Sequence, residues 1–150
     1  MFMKDSARSI VVKGKHILLI KRNKLGARYY TLPGGRIEAD ETPEAAAIRE
    51  TLEETTVKIK TPRLVFVEEA GNLFGRQYIF LCDYVSGKPA LSPDSDEAKS
   101  TLSGKNTYQP LWLDIEKIGV TPLVSPILRR AVITALRDGF PTEPHHLSSS

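Results

Sequence analysis

Four residues near the middle of the chain could do chemistry together: Arg49, Glu50, Glu53 and Glu54. On a helix at about 100° per residue they fall within an arc of roughly 140°. Like charges at i,i+4, such as Glu50 and Glu54, cost about 0.2–0.5 kcal/mol when nothing neutralises them. A divalent cation would reverse that sign. Carboxylate oxygens are hard donors that suit Mg²⁺ or Mn²⁺, and such ions keep waters and bind phosphates. Arg49 stays protonated, so the role expected of it is to pair with and orient a neighbouring carboxylate. Taken alone, Arg-Glu-x-x-Glu-Glu on a helix is more often a solvated acidic face than a metal site.

The residues around this cluster must position it. Thr42 can cap a helix, Pro43 fits its first turn, and Glu44 suits its positive end. Ala45, Ala46 and Ala47 are strong helix formers. The helix is expected to end near Thr55, with Ala45, Ile48 and Leu52 opposite the carboxylates and packed on a sheet. Before it, Pro33-Gly34-Gly35 breaks a short strand. Gly35 is followed by five residues, then Glu41; seven more lead to Arg49-Glu50; two more to Glu53-Glu54; and Val57 closes the pattern.

The segment GRIEADETPEAAAIRETLEETTV, with its Leu32-Pro33-Gly34 lead-in, resembles the Nudix box, the signature of the Nudix hydrolases. Six charged or glycine positions at fixed spacing make this a specific match. The resemblance implies an α/β/α sandwich with a mixed sheet between helices. It implies that Glu50, Glu53 and Glu54 bind metal, that Glu50 also assists the base, and that the Gly34 carbonyl is a further ligand. Arg49 would orient the cluster, and Glu41 would be structural. Two positions depart from the family's pattern: Thr51 stands where an aliphatic residue is usual, and Thr56 where a glycine is. A helix commonly ends in a left-handed residue that glycine adopts cheaply. Either the helix ends differently here, or Thr56→Gly stabilises the fold.

Elsewhere, residues 9–13 and 16–21 read as a hairpin turning at Gly14, with a basic loop from Arg22 to Arg28 and a strand around residues 29–32. Strands are expected at 57–60, 64–68, 76–85 and 108–113. Polar residues 92–107 read as a long loop, often functional in compact domains. Ser125 and Pro126 open a last helix, closed by Gly139, with a stripe of Leu128, Ala131, Val132, Ala135 and Leu136. One domain over 1–140 and a disordered tail over 141–150 are expected.

Among other residues, Arg28, Gly35 and Glu97 are candidate substrate contacts, and Glu97 is a candidate general base. Arg22 and Lys24 could meet phosphates, while Tyr29, Tyr30, Phe74 and Tyr108 could stack on a base. Trp112 and Cys82 read as core, and His16, His145 and His146 are not assigned as ligands.

The 150-residue chain carries a net charge of +3, yet residues 38–54 hold seven acids and one base. The basic remainder suits an anionic substrate. No long Lys/Arg run or zinc-finger spacing points to nucleic acid. No apolar run approaches the ~20 residues that span a bilayer. The N-terminus lacks the apolar core of a signal peptide. One cysteine excludes an intrachain disulfide, so a reducing cytoplasm is expected.

These readings converge on a Mg²⁺- or Mn²⁺-dependent pyrophosphohydrolase acting on a small nucleotide substrate, with a homodimer left open. The candidate substrates are an oxidised nucleoside triphosphate, ADP-ribose, a nucleotide sugar and a dinucleoside polyphosphate. A Nudix-fold sensor that binds without cutting is the alternative. An isoprenoid-diphosphate isomerase would need a reactive cysteine, and mid-strand Cys82 is ill suited.

Overall fold

Consecutive apolar residues in the first hairpin, Ile10 and Val11 and then Ile17 to Ile20, bury both faces of its strands. In the computed structural model, which describes residues 5–69 and 75–148, β1 (Ser6–Lys13) pairs antiparallel with β2 (His16–Lys24). Ala7 and Val11 face one helical layer and Ile10 the other. The expected basic loop is instead a continuation of the sheet. β2 runs to Lys24, and β3 (Ala27–Thr31) returns from a two-residue turn. Leu25 and Gly26 take φ of 51° and 90° there, the positive values that a primed hairpin turn requires.

The order of strands is β3-β2-β1-β6-β5-β8, with β4 (Gly34–Arg36) against β1 and β7 (Asn106–Asp114) against β2. β1 runs parallel to β6 (Arg76–Ser86), so the eight-stranded sheet is mixed. The two strands expected over 57–68 form one, β5 (Lys58–Glu69). Its pairing with β6 slips between Lys60 and Arg63, and Pro62 is tolerated at that irregularity because it has no N–H to donate.

Helices cover both faces. α1 (Pro43–Thr55) packs Ala46 and Ala47 among Ala7, Val11, Leu18 and Phe80. On the other face, α3 (Pro126–Asp138) buries Leu128, Val132 and Ala135 against Ile10, Leu19 and Phe66. The α/β sandwich expected from the sequence is present.

α1 is rotated from the expected orientation. Its buried residues are Ala46, Ala47, Thr51, Glu54 and Thr55, while Ala45 is exposed and Leu52 is 46% exposed. Ile48 is only partly buried. Small side chains let the helix approach the sheet closely, which outweighs the larger apolar residues. Thr51 Oγ1 donates to Ser9 Oγ at 2.9 Å, and Ser9 Oγ reaches the Ala47 carbonyl at 3.4 Å. Thr51 thus joins helix to sheet through a polar contact. Glu54 is carried onto the same buried side.

α1 ends at Thr56, with φ of 61°, so the helix does close in the left-handed conformation. That costs a non-glycine residue about 1–2 kcal/mol. The side chain offsets part of the cost, because Thr56 Oγ1 donates to the Lys88 carbonyl at 2.6 Å. A hydrogen bond of this kind contributes about 0.5–1.5 kcal/mol. Thr56→Gly should therefore lie within about 1 kcal/mol of the wild type, and Thr56→Ala should be less stable by about 1 kcal/mol. Denaturant unfolding measures both; an alanine variant as stable as the wild type would remove the hydrogen bond from the account.

Two further expectations are corrected. Within the expected loop, residues 96–102 form α2 (Asp96–Leu102), capped by Ser95 Oγ, which accepts from the Ala98 N–H at 3.1 Å. The expected disordered tail contains β8 (His145–Leu147), parallel to β5 at the sheet's edge. It is held there because Phe140 and Leu147 pack on the core and Arg63 Nη1 donates to the Pro141 carbonyl at 2.6 Å. Phe74, weighed as a base-stacking residue, lies outside the described residues.

Candidate active site

The glycine loop and α1 meet where β1 and β4 pair. Gly34 adopts φ of 153°, and a Cβ there would collide with the Ala7 carbonyl oxygen. Gly35 is bare for another reason: a Cβ would lie 2.6 Å from the Glu50 carboxylate. The two glycines let one strand backbone close on another and let a carboxylate rest on the loop.

Arg49 organises the acidic face. Its Nε and Nη2 donate to the two oxygens of Glu41, at 2.7 and 2.9 Å. Nη1 reaches Glu50 Oε1 at 2.9 Å and Glu53 Oε2 at 3.3 Å. Nη2 also meets the Arg36 carbonyl at 3.1 Å. The guanidinium thereby ties the loop before α1 to the helix. Its hydrogen bonds hold Glu41 down at about 2, well ionised at neutral pH.

The other carboxylates are under the opposite pressure. Glu54 is 8% exposed, and its Oε1 accepts from the Gly34 N–H at 3.1 Å. Burial pushes it up to about 7, although Arg8 pulls the other way. Burial also raises Glu50, against the opposing bond from Arg49. Such groups ionise readily only if positive charge arrives.

A cavity of about 450 Å³ opens over this region, lined by Arg8, Arg22, Thr31, Gly34, Gly35, Arg36, Glu50, Glu54, Glu97 and Tyr108. Of the candidates from sequence it brings together Arg22, Gly34, Gly35, Glu50, Glu54, Glu97 and Tyr108. Glu53 is outside the lining, with its side chain 56% exposed. Arg28 lines a separate cavity with Tyr29, Val124 and Arg129. Among the described residues no three His, Cys, Asp or Glu groups converge on a point that could hold a metal. Arg49 Nη1 stands between Glu50 and Glu53 and serves as the cation of the cluster in this conformation.

Glu97 reaches the cavity because α2 is pinned to β7. The Tyr108 N–H donates to Thr101 Oγ1 at 2.9 Å, and Ser100 Oγ donates to the Asn106 carbonyl at 2.7 Å. Arg22 lies over the Tyr108 ring at 3.7 Å and over Tyr29 at 5.5 Å. These three are direct cross-strand neighbours in β7, β2 and β3. Arg8 was missed by sequence reasoning; an arginine in a strand that is otherwise largely buried and apolar was the available signal.

The model of the NUDIX domain matches residues 3–132. An ADP-ribose pyrophosphatase of Methanocaldococcus jannaschii is 34% identical over 114 residues, covering 73% of this chain and 66% of that protein. An oxidized purine nucleoside triphosphate hydrolase of Danio rerio is 33% identical over 115 residues, covering 73% and 64%. The chain thus spans slightly under two thirds of these relatives' lengths. The crystal structure of a NUDIX hydrolase from Nitrosomonas europaea superposes with a TM-score of 0.73 at 18% identity, covering 99% of this chain and 81% of that one. That likeness shows the fold. With the family model spanning most of the sequence and relatives a third identical to it, this chain belongs to the Nudix hydrolase family.

Proposed function

We propose that this chain is a metal-dependent pyrophosphohydrolase that cleaves a nucleoside diphosphate linked to another group. The observation that carries this reading is the single cavity joining the Gly34-Gly35 loop to Glu50, Glu54 and Glu97. The donor set fits a hard divalent cation. Glu50 and buried Glu54 line one cavity beside the Gly34 backbone, and oxygen donors suit Mg²⁺ or Mn²⁺. Glu50, Glu53, Glu54 and the Gly34 carbonyl are the proposed ligands. When bound, the ion neutralises phosphate oxygens and sharpens the attacking water. Arg49 keeps Glu50 and Glu53 on one side of α1, where their carboxylates would be available to the cation. Gly35 lets the Glu50 carboxylate sit against the loop. Tyr108 and Arg22 give the substrate a flat, polar wall.

Glu97 is the proposed general base. Glu97→Gln should cut kcat by the ~10²–10⁴-fold of general-base loss, with Mn²⁺ affinity little changed. A variant that turns over like the wild type would remove it from the chemistry.

ADP-ribose and an oxidised purine nucleoside triphosphate are the first substrates to test, since the relatives named for them match across most of this chain. A nucleotide sugar and a dinucleoside polyphosphate complete the panel. Mg²⁺ should release a nucleoside monophosphate, or pyrophosphate from a triphosphate; a chelator should stop turnover and added Mg²⁺ should restore it. Tight binding without any product would favour a sensor instead. The isomerase reading loses support because burial pushes the Cys82 thiol up to about 12, leaving it protonated. The single, buried cysteine agrees with the proposed cytoplasmic location. No described helix is long and apolar enough to cross a membrane.

A further inference from the structure

We propose that Arg8 is an anion-binding residue of this cavity, taking a phosphate of the diphosphate on the guanidinium edge left open between its protein tethers. The inference rests on the pyrophosphohydrolase reading and adds a residue outside the box to it.

Two of the three Arg8 nitrogens are occupied. Nε donates to Gln77 Oε1 at 2.6 Å, and Nη1 donates to the Leu32 carbonyl at 2.8 Å. The first tether is itself fixed. Gln77 Nε2 donates to Glu68 Oε1 at 3.3 Å, and Glu68, 5% exposed, accepts on its other oxygen from Ser125 Oγ at the start of α3. A row of polar side chains thus runs under the sheet and sets the plane of the guanidinium.

The third nitrogen, Nη2, makes no hydrogen bond among the described residues. No buried side-chain nitrogen or oxygen among them lacks a partner, so Nη2 is accessible to solvent, and Arg8 lines the cavity. No carboxylate approaches Arg8 within ion-pair distance among the described residues; its charge is felt by Glu54 and Glu50 only across a gap. Clamping the Leu32 loop would need one N–H. A desolvated guanidinium with an open edge, beside carboxylates it does not touch, is unfinished until an anion arrives. Its planar fork matches phosphate oxygens, and a lysine ammonium cannot reproduce that geometry while keeping both tethers.

Methylene diphosphonate is a suitable probe, since it carries an uncleavable diphosphate and no nucleoside. Its binding to the full chain with Mn²⁺ would be measured for the wild type, Arg8→Lys and Arg8→Gln, with Mn²⁺ affinity measured separately. Arg8→Gln should bind it about ten- to a hundredfold more weakly, the size of a lost charge-assisted hydrogen bond. Arg8→Lys should also lose binding, by about tenfold. Mn²⁺ affinity should hold or tighten in both, because a neighbouring positive charge is moved or removed. If either folded variant binds diphosphonate like the wild type, the inference is overturned. If Mn²⁺ affinity falls in parallel, Arg8 is only a loop clamp and the inference is equally overturned. If the wild type with Mn²⁺ takes up no diphosphonate, the pyrophosphohydrolase reading itself falls, which separates the two failures.

Discussion

Glu54→Gln should abolish most turnover and, in the metal-free protein, remove a pH dependence of stability. Glu54 is held at about 7 in the folded chain, against an ordinary glutamate value of 4.5, chiefly by burial. A carboxyl raised on folding binds its proton more tightly in the native state, so unfolding releases that proton between the two values. The stabilisation is complete below about 4.5 and is lost as pH rises through about 7. Over that window the wild type in chelator should lose on the order of 2–3 kcal/mol relative to the glutamine variant. Glu50, also raised by burial, is present in both proteins, so the difference between the curves isolates Glu54. Glutamine keeps the shape and can still accept from the Gly34 N–H, so the fold should survive. Mn²⁺ should bind the variant more weakly, and turnover should fall about 10²–10³-fold, as when one electrostatic stabiliser is removed. Glu53→Gln should also lose activity and metal affinity. Parallel stability curves between pH 4.5 and 7, with full turnover, would refute both roles of Glu54.

The chemistry of this protein is legible where spacing alone constrains it. Gly35, Glu41, Arg49, Glu50, Glu53 and Glu54 form a pattern that can be read without knowing the fold, and the caps of α1 and α3 are local signals. The orientation of α1 was not legible. Apolar size marked Ile48 and Leu52 as the packing face, yet the sheet admits the helix through Ala46, Ala47 and Thr51, where Ser9 supplies a matching hydroxyl. Nothing near Thr51 in sequence discloses a partner 42 positions away. Arg8 is the same case at the site itself, since Leu32 and Gln77 lie 24 and 69 residues from it. β8 depends on an unfilled edge of β5, and α2 on hydroxyls that fasten it to β7. These features come from tertiary pairing, which composition and periodicity do not carry. Leu25-Gly26 was different in kind, a two-residue turn signal hidden by the charges on either side of it.

Gly35→Ala should leave a folded protein that has lost about a hundredfold of its activity. Alanine is acceptable to this backbone, because Gly35 is not among the positive-φ residues. The new methyl group would fall 2.6 Å from Glu50 Cδ and Oε2, closer than van der Waals contact allows. The cheapest relief is rotation of the Glu50 side chain, since its carboxylate is the far end of a flexible chain. Displacement by about 1 Å therefore replaces backbone strain, and stability should change by no more than about 1 kcal/mol. Activity has no such tolerance, because a reacting geometry misplaced by ~1 Å costs about 10²-fold. The bond from Arg49 Nη1 to Glu50 Oε1, 2.9 Å in the wild type, should lengthen or re-form on the other oxygen. Gly34→Ala provides the contrast. There the obstacle is the Ala7 backbone at a φ of 153°, and the variant should be markedly less stable as well as inactive. Melting temperature, Mn²⁺ affinity and turnover on the best substrate of the panel separate the two cases. A Gly35→Ala protein with wild-type turnover would show that the position of the Glu50 carboxylate against the loop does not matter to the reaction.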